Sequence, residues 1–267
     1  MKWLPRIILI GLLIYLLLGI LIYFFQQKLL FPATSLPDSH VFYSNYNFEE
    51  IDLKAPDGAR INCVHYKIEA PRGLIVYYHG NGRTIERWMD VVEYFVAKDF
   101  DVFLMDYRQY GKSTGELHEG KMIADALMVY DHAVQNYSKE KVILYGRSMG
   151  TAFASQVAAE RSPSTLILES PFKSIIDMGS RLFPIFPSQY ISRFPLRSDL
   201  AAEKIKCPVH IFHGTKDRTV PYDSGKQLYE CYDPKQATLY TLEGAGHNNV
   251  AEYELYQKTI DQILSSY

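Results

Sequence analysis

Residues 141–160 read KVILYGRSMGTAFASQVAAE, and the fold follows from how that stretch is parsed. Residues 142–145 (VILY) are a short unbroken apolar run, the pattern of a strand buried on both faces. From Thr151 the pattern turns helical, so Ser148 in GRSMG falls at a sharp turn between a buried strand and a helix. A G-x-S-x-G turn in that setting forces its serine into a strained backbone geometry, and Gly146 and Gly150 admit neighbouring chain where a β-carbon would clash. The hydroxyl is then presented at the strand end, near the positive end of the following helix. The five-residue pattern alone is weak; its place between strand and helix makes Ser148 the expected nucleophile. The same residues also fit a serine that caps a helix beside glycines used only for packing.

Outward from this turn, short β-rich runs alternate with longer helical patterns, the signature of an α/β fold with a mostly parallel sheet and helices on both faces. Residues 49–54 and 60–68, joined through Pro56-Asp57-Gly58, suggest an opening hairpin. Core strands are expected at 74–78, 102–105, 142–145, 166–168, 209–212 and 238–241. Helices are expected at 85–98, 121–137, 151–161, 223–232 and 251–264, stacked on alternate sides by right-handed crossovers.

A serine hydroxyl is a poor nucleophile at neutral pH and needs a base, which in turn needs an orienting acid. Among eight histidines, His40 lies in a polar stretch, His65 and His210 in strand patterns, and His118 and His132 in or near a surface helix. His79 and His213 precede glycines at strand ends and shape loops there. His247 remains, in GAGHNN between the last strand and the last helix. The acid should follow a strand between serine and histidine; Asp217, in HGTKDRTVP, does so, and Glu169, at the end of LILES, is its rival. Asp217 also fits a plain turn-capping role. Two backbone N–H groups should hold the oxygen that becomes negative: that of Met149, after the serine, and that of Asn81 in YYHGNGR, with Gly82 as the neighbouring candidate. HGNG lacks the spacing and lysine of a phosphate loop, and no HExxH or Cys/His cluster marks a metal. The chemistry calls for no cofactor.

Residues 7–25, IILIGLLIYLLLGILIYFF, carry no charge, and 19 residues at about 1.5 Å each nearly cross a hydrocarbon layer of about 30 Å. They read as a transmembrane helix. A cleaved signal peptide would have a shorter apolar region, of about 7–15 residues, with a small-x-small site directly after it. Lys2 and Arg6 precede the run and only Lys28 follows closely, so by one charge the positive-inside rule puts the N-terminus in the cytoplasm and the rest on the far side. Beyond Lys28 there remain 25 basic against 30 acidic residues, which gives no general attraction for nucleic acid. With 48% hydrophobic and 22% charged residues the chain is globular rather than disordered, and its length suits one catalytic domain. Cys63, Cys207 and Cys231 lack CxxC spacing; a Cys207–Cys231 bridge and three buried thiols both fit.

In order, HGNG, DYRQYGKSTG, GRSMG, LESPF, HGTKDRTVP and GAGH cover the chain from about Phe48 to its end. This series resembles the α/β-hydrolase superfamily, and within it the membrane-anchored serine hydrolases that include the α/β-hydrolase-domain-containing proteins, some of them protein depalmitoylases. The resemblance implies an α/β-hydrolase fold, Ser148, Asp217 and His247 as a catalytic triad, and Asn81 and Met149 at the oxyanion hole. Gln109 departs from it, since such proteins usually carry glycine in a DYRGYG-like segment; Asp106 and Arg108 beside it are expected to form a loop salt bridge. The expected organisation is a membrane anchor (1–28), a linker (29–48) and a hydrolase domain (49–267) with a cap at about 172–202. The cap is rich in apolar residues, and Pro184, Pro187 and Pro195 rule out one long helix. It fits a lid over an acyl or other small-molecule substrate, or an ordinary helical layer on the sheet. The expected activity is hydrolysis of carboxylic esters or thioesters by a membrane-tethered enzyme. A serine peptidase on the same fold, or a catalytically silent tethered binding protein, remains open.

Overall fold

The computed structural model of the chain describes residues 3–267. An N-terminal helix, α1 (Leu4–Leu30), precedes β1 (Phe48–Lys54), β2 (Arg60–Tyr66), β3 (Gly73–Tyr78), α2 (Ile85–Val96), β4 (Phe100–Met105) and α3 (Glu119–Ala133). There follow β5 (Val142–Arg147), α4 (Met149–Arg161), β6 (Thr165–Glu169), three short helices, α5 (Ile175–Leu182), α6 (Ser188–Ile191) and α7 (Ser198–Ala202), then β7 (Val209–Gly214), α8 (Tyr222–Tyr229), β8 (Ala237–Leu242) and α9 (Glu254–Ser265). The strands form one sheet in the order β1-β2-β4-β3-β5-β6-β7-β8. Only β2 runs antiparallel to its neighbours β1 and β4, so the expected hairpin leads into a parallel sheet.

Alternation along the central strands divides the apolar residues into two cores. Leu74, Val76 and Tyr78 of β3, with Val142 and Leu144 of β5, face a core closed by α3, α4 and α8. Ile75, Tyr77, Ile143 and Tyr145 point the other way, to a core closed by α2 and α9. Successive side chains on a strand face opposite sides, so an unbroken apolar run is what a sheet covered on both faces requires. Element ends differ from expectation by a few residues: α3 stops at Ala133, and residues Val250–Glu252 make a separate 3-10 turn before α9.

The cap is a series of short helices broken at Pro184, Pro187 and Pro195. α1 is long and apolar enough to cross a membrane, and Gln26 is its one buried residue. The stretch expected to be a linker folds as a strap on the domain. Phe31 and Phe42 are buried, Ala33 bridges Arg83, and Gly111 N–H donates to the Thr34 carbonyl while the Gly111 carbonyl accepts from Leu36. All three cysteines are free thiols.

Candidate active site

β5, a central strand, delivers Ser148 just past its C-terminal end, where its backbone takes φ 49° and ψ −116°. That conformation costs a residue with a β-carbon on the order of 1–3 kcal/mol and persists only where neighbours over-determine it. Here Ser148 N–H donates to the Glu169 carbonyl at 2.8 Å. The Ser148 carbonyl accepts from Thr151 N–H at 3.0 Å and from the Thr151 hydroxyl at 2.6 Å. Both motif glycines are sterically required. A β-carbon on Gly150 would lie 1.9 Å from the Tyr78 carbonyl oxygen, and one on Gly146 2.7 Å from Thr151 Cα.

Ser148, His247 and Asp217 come together although 69 and 30 residues separate them in sequence. His247 Nε2 lies 3.0 Å from Ser148 Oγ, and His247 Nδ1 lies 2.7 Å from Asp217 Oδ2. Asp217 Oδ1 accepts from the N–H groups of Thr219 and Val220, both at 2.8 Å. Burial raises the Asp217 carboxyl, but hydrogen bonds from His213 and His247 outweigh it and hold the group well below the usual carboxylate range. His213 was expected only to shape a loop. It is fully buried, with Nε2 3.0 Å from the Val220 carbonyl and 3.4 Å from Asp217 Oδ2. Its place at the end of β7, four residues before Asp217, is the sequence signal that could have found it.

Glu169, the rival acid, is committed elsewhere: Arg147 Nε lies 3.1 Å from one carboxylate oxygen, and Tyr145 donates to the other at 2.6 Å. Asp106 and Arg108 do not pair with each other, contrary to expectation. Asp106 Oδ1 accepts from Ile85 N–H at 2.9 Å and lies 3.3 Å from His79 Nε2. Arg108 grips Asp125 and Asp57, two bonds to each. Gln109 sits at φ 68°, so it occupies a left-handed position that glycine takes without strain.

Met149 is the first residue of α4, so its N–H has no partner within the helix, and among the described residues the Asn81 N–H also finds no acceptor. The Asn81 side chain is held on three sides. Its Nδ2 donates to the Leu30 carbonyl at 2.6 Å, and its Oδ1 accepts from Tyr110 hydroxyl at 2.6 Å and Gly82 N–H at 2.9 Å. The bond from Gly82 engages that N–H within its own loop. Among the described residues no group of three or more His, Cys, Asp or Glu is arranged to hold a metal ion.

A family model described as serine aminopeptidase, S33, matches residues 69–199, from before β3 through GRSMG into the cap. Protein bem46 of Schizosaccharomyces pombe is 27% identical over 263 residues, covering 91% of this chain and 87% of that protein. The α/β hydrolase domain-containing protein WAV2 of Arabidopsis thaliana is 28% identical over 274 residues, covering 91% and 88%. The α/β hydrolase domain-containing protein 17C of Xenopus tropicalis is 26% identical over 236 residues, covering 84% and 73%. Among solved structures, the Pyrococcus furiosus esterase Pf2001 superposes with a TM-score of 0.69 at 18% identity, covering 89% of this chain and 98% of that one. An acetyl xylan esterase from Paenibacillus sp. R4 gives 0.70 at 14% identity, covering 85% and 87%. Together the family match, the curated relatives and the solved neighbours support the α/β-hydrolase superfamily and a hydrolase's fold for this chain.

Proposed function

We propose that the chain is a membrane-anchored serine hydrolase that cleaves the carboxylic ester or thioester bond of an acyl or lipid-like substrate. The observation that carries this reading is the continuous line from Ser148 Oγ through His247 to Asp217, with links of 3.0 and 2.7 Å. With its proton on Nδ1, facing Asp217, His247 has Nε2 free to accept the Ser148 proton. Ser148 Oγ then bonds to the acyl carbon, and the oxygen that turns negative is held by the N–H groups of Met149 and Asn81. His247 passes the proton to the departing alcohol or thiol as its bond to the acyl carbon breaks. Water repeats the sequence on the serine ester, releasing the acid and restoring Ser148.

In this reading residues 1–28 anchor the chain in a single pass, residues 29–48 connect, and residues 49–267 catalyse, with the cap at about 172–202. Lys2 and Arg6 favour a cytoplasmic N-terminus, which puts catalysis on the opposite side. The match to a serine aminopeptidase family gives reason for a second reading, a peptidase, because the same machinery attacks amides. Kinetics with p-nitrophenyl esters, acyl thioesters and amino-acid amides decide between them. Esters and thioesters are expected to show the higher kcat/KM, with turnover abolished in Ser148→Ala. Faster amide turnover would establish the peptidase, and undiminished ester turnover by Ser148→Ala would refute both.

A further inference from the structure

The end of α1 does not stand free of the domain. Gln26 spends both amide donors on carbonyls at 2.9 Å, those of Tyr23 and of Ile191 in the cap, and its Oε1 accepts from Arg193 N–H at 2.7 Å. Eleven residues earlier Tyr15 stacks on Phe186 of the cap, ring centroids 4.9 Å apart, and donates its hydroxyl to the Ile185 carbonyl at 3.0 Å. The cap therefore runs beside α1 for about 16 Å.

That length sets the depth of the cap. If hydrocarbon ended before Tyr15, residues 4–14 would have to cross it alone, and their helix supplies about 16 Å of the roughly 30 Å required. An α1 that spans the bilayer therefore draws the cap tip into the half of the membrane facing the domain. The tip is suited to it: Leu182, Phe183 and Ile185 are exposed, Leu182 and Ile185 to 67% and 68%, an apolar surface that water penalises and hydrocarbon does not.

A cavity of about 280 Å³ lies between helix and cap, walled by Ile22 and Leu30 on one side and by Ile175, Met178, Phe183 and Ile191 on the other. Gln26, Ser188 and Ser192 also border it; the Gln26 amide is fully engaged with backbone, and the rest of the lining is mainly apolar. Its inner end lies next to the candidate site: the carbonyl of Leu30, in its wall, accepts from Asn81 Nδ2, and Ile175 opens α5 a few residues beyond β6. Small-ligand sites are concave, mainly apolar and about this size or larger.

We propose that this cavity is the acyl-chain site, a slot with the membrane helix as one wall, entered sideways from the bilayer by the hydrocarbon tail of a membrane-resident ester or thioester. The proposal rests on Ser148 being the nucleophile. It makes α1 part of the substrate site as well as an anchor, and it makes the bilayer the source of substrate.

The test uses the full chain in phosphatidylcholine nanodiscs with p-nitrophenyl acetate and dodecanoate, comparing wild type with Ile22→Trp and Met178→Trp, which fill the slot from opposite walls. In both variants kcat/KM for dodecanoate should fall at least about tenfold further than for acetate, the scale on which pocket volume discriminates chain length. Equal changes for the two esters would overturn the slot. As a check independent of these variants, a dodecyl fluorophosphonate with a terminal diazirine should label wild-type Ser148 and then crosslink within residues 22–30 or 175–191; crosslinks confined to other segments would also overturn it. Labelling of Ser148 with the wrong crosslinks removes the slot and leaves the serine mechanism, whereas absence of Ser148-dependent labelling removes both.

Discussion

Asp217 is suited to orient His247 because its second oxygen is pinned by Thr219 and Val220 N–H. In the proposed mechanism Asp217→Asn keeps the shape and loses the charge that stabilises protonated His247, so kcat should fall by about 10⁴-fold at neutral pH with the circular dichroism spectrum unchanged. A drop below tenfold would take Asp217 out of the mechanism. Its carboxyl is also depressed by folding, so its stabilising effect is complete above the unfolded value of about 3.9 and is lost as pH falls through the lower, folded value. Urea titrations should show wild type losing stability relative to Asp217→Asn only below about pH 4; a loss centred near neutrality would contradict this. Gln109 offers a milder test. Glycine there relieves the left-handed strain but frees the unfolded chain, so Gln109→Gly should leave activity intact and change stability by at most about 1 kcal/mol, on the favourable side. A larger loss in thermal unfolding would mean that the 3.3 Å bond from its side chain to the Gly115 carbonyl matters more than the backbone. At this scale motif and order were enough to single out three side chains that do converge, Ser148, Asp217 and His247. They missed the contact of His213 with Asp217 and the separate partners of Asp106 and Arg108, which depend on how distant strand ends and loops meet. The choice against Glu169 could have been sharpened, since Arg147 inside GRSMG lies opposite Glu169 in the parallel register of β5 and β6.

Among the elements, the strands and the helices covering the sheet were legible from apolar runs and periodicity. α1 was legible as an apolar helix, but hydropathy says nothing of what a helix touches. Besides Tyr15, its informative residue is Gln26, a polar side chain next to the uncharged run that is buried by the cap. Gln26→Leu leaves Ile191 carbonyl and Arg193 N–H without this partner, at a cost on the order of 1–3 kcal/mol for each group that stays buried. Limited proteolysis of the full chain in nanodiscs should therefore cut within residues 182–193 faster in Gln26→Leu than in wild type. Equal cutting would show that the cap is held by its apolar contacts alone. The strap at 31–42 was read as a linker because it is polar and contains proline; Phe31 and Phe42 are the two large residues that tie it down.

For the whole molecule, two apolar layers on either side of one sheet supply the rigid frame, and a buried charge cluster locks its edge. Arg108, with 2% of its side chain exposed, joins Asp125 on α3 to Asp57 in the β1–β2 turn. Asp125→Ala removes two of the guanidinium's four bonds and leaves Asp57 as its remaining carboxylate, so it should cost about 1.5–3 kcal/mol in urea unfolding, with a cost under about 1 kcal/mol contradicting the cluster's structural role. The sheet was expected from alternation of elements, but its order, with β4 between β2 and β3, depends on long-range pairing that no local pattern encodes. That order places the ends of β3, β5, β7 and β8 along one rim, with β6 between β5 and β7, so Asn81, Ser148, Asp217 and His247 converge there from four separate loops. The most direct measurement of their convergence is peptide mapping by mass spectrometry after reaction with a small fluorophosphonate. The account predicts one adduct, on Ser148, absent in Ser148→Ala and formed far more slowly in His247→Ala; an adduct on another residue, or labelling of Ser148 at an undiminished rate without His247, would contradict it.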